Sequence, residues 1–366
     1  MRRYPNNGLG ARQDSAAAEV PDGQPGHSAN VTINEVARAA GVSRATVSLV
    51  LRGSSGVAKE TRGRVHAAVA ELGYERSQFA AGLRSRQSYL VGLVVSSLTF
   101  PHHARIAVGV EEAIEAAGYG VLVANSRGSV ARERAHVDRL RRYHADGLLI
   151  TPLQVSPAEA AHLTALRATG YPVVTAYREV PGLEVDFVGV DFRESVEQAV
   201  EHLAALGHRW IAFLAGGDDS PGRTLRIEGW RSRLRGHGVV AEDALLVLKT
   251  RESYSGETAT ETLLARGVPF TALVGANDLY ALGAMRALYG AGRRVPEDVS
   301  VVGIGGLDET MSPERRLTSV AHDFGLVGRA AGDLLLERMV GPRWTGVERR
   351  IIPAALRVGE TSGPLR

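Results

Sequence analysis

The sequence contains no cysteine, which excludes disulfides, thiolate metal sites and cysteine nucleophiles. No apolar run reaches the roughly 18 residues that a membrane-spanning helix needs. The N-terminal stretch MRRYPNNGLGARQDSAAAEV lacks the apolar segment of a secretory signal peptide. These three absences together favour a cytoplasmic protein without a membrane anchor.

Catalytic signatures are missing as well. The sequence has no GxSxG nucleophile elbow, no HExxH motif and no GxxxxGK(S/T) phosphate-binding loop. Gly303, Gly305 and Gly306 follow an apolar stretch but lack the GxGxxG spacing, and they predict a tight turn. The adjacent His102 and His103 have no cysteine and no clear carboxylate partner nearby, so we expect no metal and no cofactor. The sequence therefore favours a binding protein over an enzyme.

Positive charge is concentrated in one part of the chain. The whole sequence of 366 residues has a net charge of +3, whereas residues 31–88 carry nine Lys and Arg against four acids, a net charge of +5. Residues 1–30 are neutral, so the remainder of the chain carries about −2 (3 − 5 − 0). This distribution is typical of a segment that binds a phosphate backbone, although a solvated basic surface has the same composition.

The basic segment contains the residue pattern of a helix-turn-helix, TINEVARAAGVSRATVS at residues 32–48. A first apolar face recurs at helical spacing, and Gly41 can end that helix in a left-handed conformation. Ser43 can then cap a second helix. The first apolar face consists of Ile33, Val36, Ala37 and Ala40, and the inner face of the second helix of Val47, Val50 and Leu51. A third helix is predicted from Lys59 to Leu72. Such a unit places its second helix in the DNA major groove.

Outside the helix-turn-helix domain, the sequence pattern predicts an N-terminal extension, a connector and a two-lobed core. Residues 1–30 have no periodicity and predict a disordered extension, and residues 75–88 form a basic connector or hinge. From Tyr89 onward, seven short apolar runs alternate with amphipathic stretches such as 104–117 and 193–206. The runs lie at 90–95, 119–124, 146–151, 171–176, 210–216, 271–276 and 299–305.

Strands buried on both faces that alternate with helices indicate parallel sheets. The predicted fold class is therefore an N-terminal all-α helix-turn-helix domain (31–74) plus an α/β core of two doubly wound parallel sheets (89–362). We assign residues 89–190 and 322–341 to the first lobe, and residues 191–320 and 345–362 to the second. Ligands of parallel sheets bind beyond the carboxyl ends of the strands, here in the cleft between the lobes.

The sequence resembles the lactose-repressor/galactose-repressor (LacI/GalR) family from about Val31 to Ser362. The similar segments are, in order, TINEVARAAGVSRATVSLVL, AVAELGY, AAGLRSRQS, DGLLITP, ALGHRWIAFLAG, RIEGW, GANDLYALGAMRAL and PEDVSVVGIGG. The resemblance implies a periplasmic-binding-protein-like core and a homodimer that binds double-stranded DNA at a pseudo-palindromic operator. It also implies a transcriptional regulator, in the simplest case a repressor, that a sugar or sugar derivative controls allosterically. No leucine heptad follows Arg357, so we expect a dimer rather than a tetramer.

The resemblance also implies a set of DNA-binding residues. Arg44 and Ala45 match base-contacting positions, where arginine can bond guanine and alanine can touch a thymine methyl group. Leu49 departs from the polar or basic residue of many relatives. The full set is Thr32, Ser43, Arg44, Ala45, Thr46, Ser48, Leu49, Arg52, Ala80 and Leu83, with Thr46 and Ser48 expected at phosphates. Leu83 matches a leucine that wedges into the minor groove from a hinge that is helical only on DNA, and the alternative is that it packs on the core.

The resemblance implies a second set of residues around the effector. Arg226 matches an arginine that grips effector oxygens, and the alternative is a surface salt bridge. Asn277 and Asp278 can donate to and accept from hydroxyls, although Asp278 could instead cap the following helix. The remaining members are His102, His103, Tyr177, Arg251, Gly305 and Phe324, of which Tyr177 and Phe324 offer stacking surfaces.

Three departures from the family pattern bear on the ligand. His102 and His103 replace an aromatic pair, Gly305 replaces a sugar-binding aspartate, and Arg251 replaces a stacking aromatic residue. These changes favour an acidic or phosphorylated ligand over a neutral one. The alternatives are a degenerate cleft that binds a protein or nothing, and a sugar-binding protein without a regulatory role.

Overall fold

The computed structural model describes residues 31–54, 56–74, 87–153, 156–216, 221–239, 242–248, 256–307, 316–341 and 346–365. The chain divides into two compact units, residues 1–81 and 82–366, which are described separately below. The predicted extension (1–30), most of the connector, and with it Ala80 and Leu83, lie outside the described residues. Among the described residues, no helix combines the length and the apolar character that crossing a bilayer requires.

The N-terminal unit contains the three predicted helices. They are α1 (Ile33–Ala40), α2 (Arg44–Leu51) and α3 (Lys59–Leu72), and the bounds of α3 are those predicted from the sequence. Gly41 ends α1 with a φ of 62°, in the left-handed region that glycine adopts without strain. The fully buried side chains of Val36, Val47 and Val65 bring one residue of each helix into a common core.

The core unit contains twelve strands and eight α-helices among its described residues. In chain order they are β1 (Leu90–Val95), α4 (Pro101–Glu115), β2 (Gly120–Asn125), α5 (Val130–Arg142), β3 (Gly147–Ile150), α6 (Ala161–Ala168), β4 (Val173–Tyr177), β5 (Asp186–Gly189), α7 (Phe192–Ala205), β6 (Ile211–Gly216), α8 (Pro221–Gly236), β7 (Leu246–Leu248), α9 (Gly256–Ala265), β8 (Ala272–Gly275), α10 (Asp278–Gly290), β9 (Ser300–Gly305), β10 (Thr318–Ala321), α11 (Phe324–Val340), β11 (Arg349–Ile351) and β12 (Ala355–Arg357).

These elements form two lobes, each with its own six-stranded sheet. The strand order is β11-β5-β4-β3-β1-β2 in the first sheet and β12-β10-β9-β8-β6-β7 in the second. Every pair is parallel except β10 with β12. Helices α4, α5, α6 and α11 pack on the first sheet, and α7 to α10 pack on the second. The predicted pair of doubly wound sheets is confirmed.

β11 corrects the predicted lobe boundary. Residues 345–362 were expected in the second lobe, but β11 pairs with β5 in the first sheet. The fully buried carboxylate of Asp186 accepts hydrogen bonds from Nε of Arg338 and from the backbone nitrogen of Glu348, at 2.8 and 2.7 Å. Because a buried charge needs these partners, the start of β11 is held on the first lobe. The sequence pattern misses this, since β11 is only three residues long and polar.

α4 and α11 pack closely through glycines. A Cβ atom on Gly328 would lie 2.2 Å from the carbonyl oxygen of Ile106, and one on Gly109 would lie 2.1 Å from that of Gly325. Because the opposing atoms belong to the backbone, a side-chain rotation cannot relieve either contact. The glycines therefore set how closely the two helices approach.

Gly328→Ala is expected to lower the free energy of unfolding of the core unit by about 1–3 kcal/mol, because the added methyl group forces the two helices apart. Urea denaturation followed by circular dichroism measures this loss. Gly290→Ala is the matched control, because a Cβ atom at that helix end meets no atom within 4 Å. Equal destabilisation by both substitutions would contradict the packing explanation.

Candidate DNA interface and effector cleft

One face of α2 is exposed and carries the residues predicted to read DNA. Val47 and Val50 are buried, whereas Arg44, Ala45 and Arg52 are exposed. Leu49 is 40% exposed, which is unusual for a large apolar side chain. An α-helix with such a face has the dimensions of the major groove, and a guanidinium and methyl groups match guanine and thymine edges there.

Hydroxyl groups cap the N-terminal ends of α1 and α2. Oγ of Ser43 accepts a hydrogen bond from the backbone nitrogen of Thr46 at 3.1 Å. Thr32 and Glu35 form a reciprocal capping box, in which the backbone nitrogen of Thr32 donates to the Glu35 carboxylate at 2.6 Å. This backbone hydrogen bond, with that of the Thr32 hydroxyl, lowers the pKa of Glu35. Thr32, Ser43 and Thr46 therefore have a structural role in placing α2, whatever they contact on DNA.

In the core unit, the carboxyl ends of the strands border two adjoining cavities of about 500 and 750 Å³, counted with their open mouths. Eight of the nine predicted effector residues line these cavities, and Arg251 lies outside the described residues. The eight are His102, His103, Tyr177, Arg226, Asn277, Asp278, Gly305 and Phe324. Other residues of the same lining were not predicted, among them Phe100, Arg178, Phe192 and His322.

Aromatic and imidazole rings cluster on one wall of the cleft. The ring of His102 lies 4.2 Å from that of His103, 4.6 Å from Tyr177 and 5.5 Å from Phe324, centroid to centroid. His322 joins the cluster 5.6 Å from Phe324. The ring stacking expected of Tyr177 and Phe324 is thus directed partly at neighbouring side chains, and the cluster gives the cleft a firm, weakly polar wall.

The histidines of this wall are neutral near pH 7. Burial lowers the pKa of His103 and that of His322 to about 4. Burial also lowers the pKa of His102 well below its usual value, and the positive charges of Arg178 and Arg226 lower it further. The positive charge of the cleft therefore comes from its arginines.

Lowering the pH from about 7 to about 5 is expected to reduce the free energy of unfolding of the core unit. The unfolded chain takes up protons on these histidines near pH 6.5, whereas folded His103 and His322 stay neutral until about pH 4. Each contributes a slope of up to about 1.4 kcal/mol per pH unit in this window. Urea denaturation at a series of pH values measures the slope, and His322→Asn should reduce it. An unchanged slope in that variant would contradict the assignment.

Arg226 approaches the cleft from α8. Its guanidinium carbon lies 4.0 Å from the ring centroid of Phe192, the first residue of α7. A cation–π contact of this kind orients the planar guanidinium group. Both Arg226 and Phe192 line the cleft.

Asn277 and Asp278 lie side by side but are engaged differently. Oδ1 of Asn277 accepts from the backbone nitrogen of Tyr280 at 2.9 Å and caps α10, so its amide NH2 is the group that can donate to a ligand. The two oxygens of Asp278 accept from the Ser319 hydroxyl and the Leu307 backbone nitrogen, each at 2.6 Å. Burial raises the pKa of Asp278, and these hydrogen bonds oppose that shift. The expected alternative, in which Asp278 caps the following helix, is wrong, because Asn277 makes that cap. Asp278 instead connects the start of α10 to Ser319 in β10 and to Leu307 beyond β9.

The backbone conformation at Gly305 is unfavourable for a residue with a side chain. Its φ is +130°, a conformation that other residues rarely adopt, and a Cβ atom there would lie 3.3 Å from Oδ2 of Asp278. A side chain placed at this position would therefore be strained by the backbone conformation.

The described chain enters the core unit at an anchor that could not be predicted from the sequence. The carboxylate of Asp146 accepts hydrogen bonds from the backbone nitrogens of Ser88 and Tyr89, the shortest to each being 2.9 and 2.8 Å. Asp146 lies immediately before β3. The end of the connector is thereby fixed to the first lobe.

Comparison with known proteins agrees with both parts of this architecture. Residues 32–77 match the model for bacterial regulatory proteins of the lacI family. Residues 88–357 match the model for periplasmic binding proteins and the sugar binding domain of the LacI family. The chain belongs to the LacI family. This LacI-family protein is a DNA-binding transcriptional regulator and not an enzyme.

Its relatives are similar over nearly their whole length. The HTH-type transcriptional regulator PtxS of Pseudomonas putida is 34% identical, over 88% of this chain and 92% of the relative. The structure of the lac repressor dimer bound to operator and the anti-inducer ONPF is 31% identical, with a TM-score of 0.81 over 91% of this chain and 99% of that chain. The complex of the transcriptional regulator CelR with cellobiose is 32% identical, with a TM-score of 0.67 over 90% and 99%.

Proposed function

We propose that this LacI-family regulator binds a pseudo-palindromic operator as a homodimer, and that a small sugar-like metabolite in its cleft changes the affinity for DNA. The observation that carries the proposal is the exposed Arg44-Ala45-Leu49 face of α2 on the same chain as an effector-type cleft. The lac repressor, bound as a dimer to its operator, and CelR, bound to cellobiose, support the same pairing of functions. Because its target is the chromosome, the cytoplasm is the proposed location.

On the DNA side, Arg44 bonds the N7 and O6 atoms of a guanine, and Ala45 contacts a thymine methyl group. Leu49 adds a second apolar contact, since its exposed side chain cannot hydrogen-bond a base edge. Arg52 contacts phosphate; its Nε already donates to the carbonyl oxygen of Ser48 at 3.1 Å, which orients the guanidinium along α2. In the hinge, Leu83 wedges into the minor groove at the operator centre, with Ala80 beside it.

On the effector side, Arg226 and the amide of Asn277 bind ligand oxygens from the second lobe. The ring wall around Tyr177 supports the ligand from the first lobe. A ligand that touches both lobes binds more tightly to one arrangement of the lobes than to another, and this difference is what shifts the equilibrium. The Asp146 anchor then links movement of the first lobe to residues 88–89 at the end of the hinge.

Selection of bound duplexes from a random library by the full chain tests the DNA half of the proposal. We expect an enriched inverted repeat whose affinity exceeds that of a single half-site and falls steeply with salt. A panel of sugars then tests whether any of them changes the affinity for the enriched duplex. Recovery of unrelated sequences, or of a single half-site with full affinity, would contradict the proposed homodimer on an operator.

A further inference from the structure

A hydrogen bond joins the two lobes beside the effector cleft. Nη1 of Arg105, on α4 of the first lobe, donates to the carbonyl oxygen of Gly306 at 3.0 Å. Gly306 is buried and directly follows β9 of the second sheet. A buried carbonyl group needs a hydrogen-bond partner, and here a partner comes from the other lobe. Any rearrangement of the lobes that separates these two atoms must therefore break this bond.

The loop that carries Gly306 is fixed within the second lobe. The backbone nitrogen of Gly306 donates to Oγ of Ser319 at 3.2 Å, and that of Leu307 donates to Oδ2 of Asp278 at 2.6 Å. Gly305 and Gly306 have φ angles of +130° and +71°, which glycine adopts without strain. These contacts fix the loop, so that the first lobe meets a preformed acceptor.

The two elements joined by this bond also line the cleft. His102 lies one turn before Arg105 on α4, and it lines the smaller cavity together with Gly305 and Leu307, the neighbours of Gly306. Arg105 itself is half-buried and does not line either cavity. In this arrangement of the lobes, a ligand in the cavity contacts both of them. The bond therefore stabilises a cavity built from both lobes without taking any of its space.

We propose that the hydrogen bond from Arg105 to Gly306 is a bridge that favours the effector-binding arrangement of the lobes, and that Arg105 is thereby a positioning residue of the effector site. The inference rests on the proposed function of the cleft. It goes beyond that function because it names a residue outside the cleft that sets the fraction of molecules ready to bind. A ligand binds with lower apparent affinity when that fraction falls.

The charge of Arg105 contributes to the bridge together with its donor group. Burial raises the pKa of Asp278, whereas hydrogen bonds from Ser319 and from backbone nitrogens, and the charge of Arg105, act in the opposite direction. The guanidinium therefore lies close enough to the Asp278 carboxylate to stabilise its charged form. Hydrogen bonds from a charged donor contribute more to stability than those between neutral groups. We expect the bridge to depend on both the donor and the positive charge.

Distances between the lobes test the inference without a ligand. Because the chain has no cysteine, the exposed positions of Ala131→Cys in the first lobe and Glu261→Cys in the second can be spin-labelled specifically. Labelled full chain is diluted with unlabelled chain, and pulsed electron paramagnetic resonance measures the distance within one chain. Arg105→Met removes the donors and the charge, and we expect it to lower the ratio of bridged to unbridged arrangements by about 10-fold, seen as a second distance population. Arg139→Met is the control, because Arg139 is an exposed arginine of the same lobe.

Titration calorimetry with simple sugars measures the consequence for the cleft. The probes are glucose, galactose, mannose, ribose and cellobiose, each titrated into the full chain. For a probe that binds the parent protein, Arg105→Met should weaken binding by about 3- to 10-fold, because fewer molecules have the bridged arrangement. Arg105→Lys keeps the charge and a donor, so it should recover part of this loss. Arg139→Met should bind like the parent protein.

The outcomes separate this inference from the proposed function. If Arg105→Met has the label distances and sugar affinities of the parent protein, the inference fails and the proposed function stands. If the distances change but the affinities do not, the bridge does not position the effector site, and the inference again fails. If no probe binds the parent protein, the effector half of the proposed function fails and the inference fails with it.

Discussion

Arg44→Ala is expected to abolish most of the preference for the operator over a scrambled duplex. Arg44 is exposed at the first turn of α2. In the proposed complex, its fork of donors bonds a base edge. A lost bidentate pair costs about 1–3 kcal/mol, and a homodimer loses one in each half-site, so the total is about 2–6 kcal/mol. Fluorescence anisotropy with both duplexes at one salt concentration measures the change.

Arg44→Lys separates the charge of this residue from its geometry. Lysine keeps the positive charge, so affinity for the scrambled duplex and its salt dependence should stay close to those of the parent protein. It lacks the planar fork, so part of the operator preference should still be lost. Full operator preference in Arg44→Ala would show that α2 does not read bases through this side chain.

Arg226→Ala is expected to make operator binding insensitive to the effector. Loss of hydrogen bonds from a charged guanidinium to ligand oxygens costs about 1.5–3 kcal/mol, which corresponds to a loss of roughly 10- to 150-fold in ligand affinity. The substitution also removes the contact with the Phe192 ring. Operator affinity in the absence of effector should be unchanged, because Arg226 lies in the core unit and outside the N-terminal unit.

Titration with the effector measures ligand affinity, and fluorescence anisotropy measures operator affinity. Both measurements are made on the same preparation. Arg235→Ala serves as the control on the same helix and should respond to the effector like the parent protein. An effector response that persists in Arg226→Ala at the original concentration would place the ligand elsewhere.

Sequence reasoning predicted the elements that a strong pattern specifies. α3 was predicted from Lys59 to Leu72 because its apolar residues recur at helical spacing. β1 was predicted at 90–95 because these residues form a continuous apolar run. Five strands were missed: β7, β11 and β12, which have three residues each and lie at the edges of their sheets, and β5 and β10, which have four residues each. Such strands depend on pairing with a neighbour more than on their own composition.

The cleft residues that lie at the carboxyl ends of strands could be predicted from the sequence. Tyr177 ends β4 in the first sheet, and Asn277 follows β8 in the second. Because ligands of parallel sheets bind beyond the carboxyl ends of the strands, both residues were expected at the cleft. Arg178 and His322 were not predicted. Arg178 follows a tight turn in which Tyr177 has a φ of +69°, and His322 follows β10, which was itself not predicted. The engagement of Asp278 could not be foreseen either, since its partner Ser319 lies 41 residues away in sequence.

The central claim is that one chain couples a DNA-reading surface on its N-terminal unit to a ligand cleft in its core unit. The most direct test measures operator affinity of the full chain with and without the effector, and effector affinity with and without the operator. The account predicts that both affinities change by the same factor, because a binding linkage is reciprocal. Operator affinity that stays constant while the cleft is saturated with ligand would contradict the account.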